Sequence, residues 1–196
     1  SYAYEAREFY VGQHADRQLW NLLWPPFLDE LQRRYIRGAA WVSTVSDGLA
    51  DWLQRSYGLA QRPTVVRSIP ALSLAPFRAA GEEMTVLFHG NLRPDRNVHG
   101  LIASVPLWRE HLRLVVRGNG PGDYVRQLHD QVAQLHLDGR VSVEPAVPYG
   151  QVVEAAATAD IGVIPWSVDL PQKHVALPNK LFEYLAAGLC IVQTGP

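Results

Sequence analysis

Residues 171–192 read PQKHVALPNKLFEYLAAGLCIV: a loop, a helix start, one short helix, a glycine stop and an apolar strand, in that order. Asn179 carries the side-chain oxygen of a helix N-cap, and Pro178 before it restricts how the chain enters. Leu181, Tyr184 and Leu185 share one face at helical spacing, and Phe182 with Ala186 widens it. Gly188 suits the left-handed residue that ends a helix, and residues 189–192 predict a buried strand. The free N–H groups of such a helix start favour an anion such as phosphate. Lys180 adds a full positive charge there, and Glu183, one turn on, offers a carboxylate to sugar or ribose hydroxyls. A capped helix with two solvated charges explains the same residues equally well, so the rest of the chain decides.

From residue 84 the pattern alternates. Apolar runs at 85–89, 112–117, 141–143, 161–164 and 189–192 predict strands, and 97–109, 124–137, 150–159 and 179–187 predict helices. In the second of these helices Val125, Leu128, Val132 and Leu135 fall inward. Such strict alternation predicts a doubly wound parallel α/β sheet, whose ligands sit at the carboxyl ends of the strands. Residues 1–70 show a shorter version of the rhythm. A strand end at 1–10 is followed by a helical region at 15–38, marked by Trp20, Leu23, Leu28, Leu31 and Tyr35, which Pro25 and Pro26 should split or kink. A strand at 39–45, a helix opened by Ser46 and Asp47 and stopped by Gly58, and a strand at 64–67 complete it. Residues 71–83 lack a period and read as a linker.

The predicted strand ends collect residues suited to a ligand. The first loop, GNLRPDRN at 90–97, has Gly90 for close backbone approach. Its Arg93 and Arg96 are either phosphate grips or solvated charges. The second, RGNGPG at 117–122, uses Gly118 and Gly120 around Asn119 either to expose the backbone or to turn the chain. Asp123 stands where GxGxxG needs its last glycine, which disfavours a nicotinamide dehydrogenase. Val147 and Pro148 in the third loop either enclose a base or pack in the core. The loop before residue 179 runs about twelve residues, longer than ordered α/β connections usually are.

Composition narrows the classes. With 196 residues, formal net charge -1 and 47% hydrophobic content, the chain has the balance of a globular protein with a sizeable core. No basic stripe marks a nucleic-acid surface. No apolar run reaches the roughly eighteen residues of a membrane span, and no signal-peptide pattern opens the chain. One cysteine, Cys190, forms no internal disulfide and points to a reducing cytosol. The expected location is therefore cytoplasmic, with peripheral contact at the inner face of a membrane as the alternative. A cysteine-based metal site is excluded, and the seven His lack ligand spacing such as HExxH. Arginines number sixteen and lysines two, and both lysines, Lys173 and Lys180, stand in the stretch at 171–192.

With VLFHGNLRPDRN, LRLVVRGNGP, ADIGVIPW and LPNKLFEYLAAGLCIV in this order, the chain resembles the retaining, nucleotide-sugar-dependent glycosyltransferases of the GT-B fold, the group 1 glycosyltransferases. YEAREFY, AAWVSTVSDGLADWL and TVVRSIP look like the later part of that family's acceptor-side domain. The resemblance implies a GT-B-like α/β fold. A Rossmann-like donor-binding domain lacking its last helices occupies 84–196, a linker 71–83, and the C-terminal part of a second Rossmann-like domain 1–70. The chain is then a fragment, expected to be inactive by itself. It also implies transfer of a sugar, with retention and without metal, from a UDP- or GDP-sugar to the hydroxyl of a carbohydrate, lipid-linked or small-molecule acceptor, in a bacterial-like protein.

At matching positions the resemblance implies roles. Gly90 faces the donor diphosphate and Arg96 binds it; Gly118 and Gly120 line the donor pocket; Val147 and Pro148 lie near the base. Asn179 and Lys180 form the phosphate-facing helix start, and Glu183 bonds the ribose. Asn91, Arg93, Asn119 and Pro178 complete the expected contact set. Three positions depart from the family. Val175 stands where many relatives carry a glutamate eight positions before Glu183, Asn91 where many carry arginine, and Arg7 where many carry histidine. No catalytic residue is assigned. The rival readings are a non-catalytic nucleotide-sugar-binding module and a GT-B-fold sugar-nucleotide epimerase.

Overall fold

The computed structural model describes residues 1–8, 18–71, 79, 81–165 and 177–194, the side chains of 18–22 excepted. Most of the expected linker at 71–83 and the long loop at 166–176 lie outside the described residues. The chain divides into two compact units, Ser1–Ser68 with Asp169–Pro178 and Ile69–Val168 with Asn179–Pro196.

The first unit has three parallel strands in the order β1 (Ala3–Ala6), β2 (Trp41–Thr44) and β3 (Thr64–Val65). Helices α1 (Gln18–Ile36) and α2 (Asp47–Tyr57) connect them. Ser46 caps α2 by accepting from the Leu49 N–H at 3.2 Å, and Gly58 ends it at φ 61. Leu49, Leu53 and Tyr57 on its inner face pack with Ala6 and Ile36. The chain is not split into two helices at Pro25 and Pro26: α1 runs through both prolines. Each proline removes a backbone donor, but the half that follows is held from outside. The Tyr57 hydroxyl donates to Asp29 Oδ1 at 2.8 Å, and Gln32 and Ile36 are buried. Of the apolar residues that mark this helix, Leu23, Leu31 and Tyr35 are exposed.

The second unit is a five-stranded parallel sheet in the order β6 (Val141–Glu144), β5 (Leu112–Arg117), β4 (Met84–His89), β7 (Ile161–Pro165) and β8 (Cys190–Thr194). Alternate residues of β4 serve the two faces of the sheet. Val86 and Phe88 pack with α3 (Val98–Ser104) and α4 (Gly122–Gln134), while Leu87 packs toward α5 (Val152–Ala156) and α6 (Asn179–Ala186). Burying each such side chain contributes about 1.5–3 kcal/mol. Strand order reverses between β4 and β7, the switch point where open α/β sheets take ligands.

Several expectations change here. The third helix stops at Ser104 and tightens into a 3-10 turn over Val105–Leu107, because Pro106 supplies no donor. Leu135 is exposed: His136 turns left-handed at φ 53, and the buried residue is Leu137. Only Val152–Ala156 of the expected helix at 150–159 is α-helical, after a 3-10 turn at Tyr149–Gln151. The strand after Gly188 is not buried. Among the described residues it is the sheet edge, and Cys190 and Val192 are exposed. Leu185 also points outward from α6, whose buried residue is Tyr184.

Candidate functional site

The loops beyond β4, β5 and β6 are stacked by backbone contacts. Gly90 N–H donates to Arg117 O at 3.0 Å, and Leu92 N–H donates to Asn119 O at 2.9 Å. The Asn119 side-chain oxygen accepts from Ala146 N–H at 3.2 Å, so this residue joins all three loops. A Cβ on Gly118 would lie 1.8 Å from Gly90 O, and one on Gly120 would lie 2.1 Å from Leu92 O. Those two glycines therefore let one loop close on the next. Gly90 itself adopts φ 132, which an L side chain rarely takes.

Beside Gly90 stands Lys180, the second residue of α6. A Cβ built on Gly90 would be 3.5 Å from its Nζ, which lies 4.0 Å from the centroid of the Phe88 ring. Among the described residues the ammonium has no hydrogen bond or ion pair. Desolvation, and then the Arg96 guanidinium, press it down from 10.5 to about 7, against a smaller opposing pull from Glu183. The Lys180 ammonium thus stands at the switch point beside a helix N-terminus, within the field of the Arg96 guanidinium. That arrangement favours a multiply charged anion.

One turn on, Glu183 Oε2 accepts from His89 Nε2–H at 2.7 Å, with both side chains largely buried. His89 ends β4 on the face that carries Leu87. Its backbone N–H donates to the Tyr184 hydroxyl at 3.1 Å, and that hydroxyl donates to Leu87 O at 3.1 Å. The His89 and Tyr184 rings lie 4.7 Å apart. Burial raises the Tyr184 pKa, so its hydroxyl stays a donor. Tyr184 fits because residue 162 is glycine; a Cβ there would be 2.4 Å from the ring. The sequence reading missed His89. Its signal is a lone polar residue closing an apolar strand just before a glycine, at an alternation that faces α6.

The remaining candidates scatter around this centre. Arg93 Nε is 3.1 Å and Arg96 Nε 4.0 Å from Asp95, on the loop after β4. Asp95 Oδ1 is buried without a well-aligned hydrogen bond. Asn91 is exposed at the same strand end, and Asn179 is the exposed first residue of α6, preceded by Pro178. Val147 is half-buried and Pro148 exposed, beyond the edge strand β6 and two strands from β4. Among the described residues no group of three His, Cys, Asp or Glu is placed to hold a metal ion, and no helix is long and apolar enough to cross a membrane.

A family model described as glycosyl transferases group 1 matches residues 83–195. No curated protein gives a significant match. Among solved structures, the chain is similar to HepE of Anabaena in complex with UDP and glucose, with TM-score 0.72 and 17% identity, covering 97% of this chain and 52% of that one. It is similar to sucrose-phosphate synthase of Thermosynechococcus elongatus, with TM-score 0.74 and 13% identity over 97% of this chain and 49% of that one. WaaG, a glycosyltransferase involved in lipopolysaccharide biosynthesis, gives 0.70 and 16% over 97% and 55%. The chain thus spans about half the length of these structures. At these identities the likeness establishes the fold, that of the Rossmann-like GT-B glycosyltransferases.

Proposed function

The chain belongs to the group 1 glycosyl transferases, and from that premise we propose that it carries the donor site of an enzyme that moves a sugar from a nucleoside-diphosphate sugar to an acceptor hydroxyl, with retention at the anomeric carbon. In this reading the second unit binds the donor and the first belongs to the acceptor side. The observation that carries it is the Lys180 ammonium. It is desolvated and without a carboxylate partner among the described residues, and it lies beside Gly90 at the start of α6.

Charge accumulates on the diphosphate as the glycosidic bond breaks. Fixed donors aimed at that charge stabilise the transition state without reorganising. Lys180, Arg96 and the free N–H groups of α6 are the donors here. Glu183 takes a ribose hydroxyl, Val147 and Pro148 approach the base, and Asn91, Arg93 and Asn179 border the anion. Gly118, Asn119 and Gly120 support these contacts by holding the loops together. Support for a nucleotide ligand also comes from HepE, which was crystallised with UDP and with UDP-glucose.

The test is turnover of a panel of UDP- and GDP-sugars by the intact protein, with calorimetry of UDP and GDP. We expect sugar transfer from one donor class. Lys180→Ala and Arg96→Ala should each weaken the nucleotide by about tenfold or more, the worth of a charge-assisted hydrogen bond. Unchanged affinity in both variants sinks the assignment. Binding without any turnover would instead mark a non-catalytic binding module.

A further inference from the structure

We propose that His89 is a positioning residue for nucleotide recognition: by donating from Nε2 to Glu183 Oε2 it fixes the carboxylate so that Oε1 faces the ribose hydroxyls. This rests on the donor-site reading above and extends it to a residue on a different element. A glutamate on a helix has three side-chain torsions, and its carboxylate is normally free to turn into solvent. Here one oxygen is held at 2.7 Å by a largely buried ring. The His89 ring is packed 4.7 Å from Tyr184, and its backbone N–H is bonded to the Tyr184 hydroxyl. Tyr184 is in turn tied to Leu87 O and seated against Gly162. A carboxylate only accepts hydrogen bonds, so Nε2 must carry the proton in this pair. The chain of contacts runs from the central strand to the acceptor oxygen without passing through any ligand. It therefore preorganises the site before a nucleotide arrives.

Preorganisation of this kind shows in selectivity rather than in affinity alone. The experiment measures, by calorimetry on the intact protein, UDP and GDP beside their 2′-deoxy and 3′-deoxy counterparts. In the wild type, loss of the relevant hydroxyl should weaken binding about tenfold, the scale of a hydrogen bond to a charged group. Glu183→Gln and His89→Leu should each reduce that discrimination to about twofold or less, and the double variant should reduce it no further. His89→Gln, whose amide can still donate near the Nε2 position, should restore most of it. Thermal unfolding of each variant shows whether the fold is kept; a merely structural role would lower stability and leave the discrimination ratio intact. Full discrimination in a folded His89→Leu protein overturns the proposal while leaving the donor site standing. Full discrimination in Glu183→Gln overturns it as well. Failure of the wild type to bind either nucleotide overturns both readings.

Discussion

In the first unit Asp47 accepts from Arg62 at 3.0 Å and from Arg67 at 2.6 Å, and Asp51 accepts from Arg62 at 2.6 Å. In the second unit Lys180 has no such acceptor among the described residues, and the Arg96 guanidinium helps to press its pKa down. The first cluster is exposed, mutually neutralised and shared among groups already bonded to one another. Lys180 in the second is desolvated and stands next to a strand end built of closely packed backbone. Exposed pairs of the first kind add little to stability. A desolvated ammonium held only against the face of the Phe88 ring costs free energy in the empty protein, a cost that a bound anion would offset. On the proposed reading, the contrast separates charges that decorate a fold from charges placed for a ligand.

The largest expected effect concerns glycine. A Cβ on Gly118 would meet the Gly90 carbonyl at 1.8 Å, whereas a Cβ on Gly58 in the first unit meets nothing nearer than an Arg37 guanidinium nitrogen at 3.9 Å. Gly118→Ala should therefore cost about 3 kcal/mol or more, because two backbones must part. Gly58→Ala, strained only by its left-handed φ, should cost about 1–2 kcal/mol. Denaturant unfolding checks both. A Gly118→Ala protein as stable as Gly58→Ala would mean that the loops beyond β4 and β5 are not stacked as described.

Next in size is the response to pH. The unfolded Lys180 amine titrates near 10.5 and the folded one near 7, so unfolding takes up a proton between those values. The group's penalty is then fully present below about pH 7 and fades as pH rises toward 10.5, so apo stability from this group rises across that window. Anion affinity moves the other way. Above pH 7 the free amine loses its proton, and binding of UDP-glucose, whose diphosphate does not titrate there, should weaken by up to about tenfold per pH unit. Lys180→Met should abolish both slopes and leave the empty protein at least as stable as the wild type. Calorimetry and thermal melts at a series of pH values decide it; a flat binding profile in the wild type would return Lys180 to the class of ordinary surface charges.

Much of this was legible in the chain, and the reasons are local. The alternation from residue 84 predicts every strand of the second sheet, because a parallel strand buried on both faces is a continuous apolar run such as VLF at 86–88. Gly188 was readable as a helix stop and takes φ 77. Strand order was not legible: whether β4 sits centrally or at an edge depends on pairing between segments far apart in sequence. That pairing makes His89 a neighbour of Glu183. It also leaves β8 as an edge, so an apolar run that read as buried is largely exposed. Pro25 and Pro26 do not split α1 for a related reason, since contacts from Tyr57 hold the helix beyond them.

The smallest effect belongs to the first unit's cluster. Arg62, more than Arg67, holds the Asp47 carboxyl below its usual value of 3.8, so its contribution is present above that value and lost as pH falls through the lowered one. Asp47→Asn removes two ion pairs at once, yet both arginines stay in water and Arg62 keeps Asp51. The thermal midpoint should fall only slightly, and the difference from wild type should shrink further in high salt, which screens exposed pairs. Nucleotide affinity should not change. A loss of affinity in Asp47→Asn comparable to that of Lys180→Ala would break the contrast between the two clusters, because it would place a charge that is already neutralised within the binding machinery.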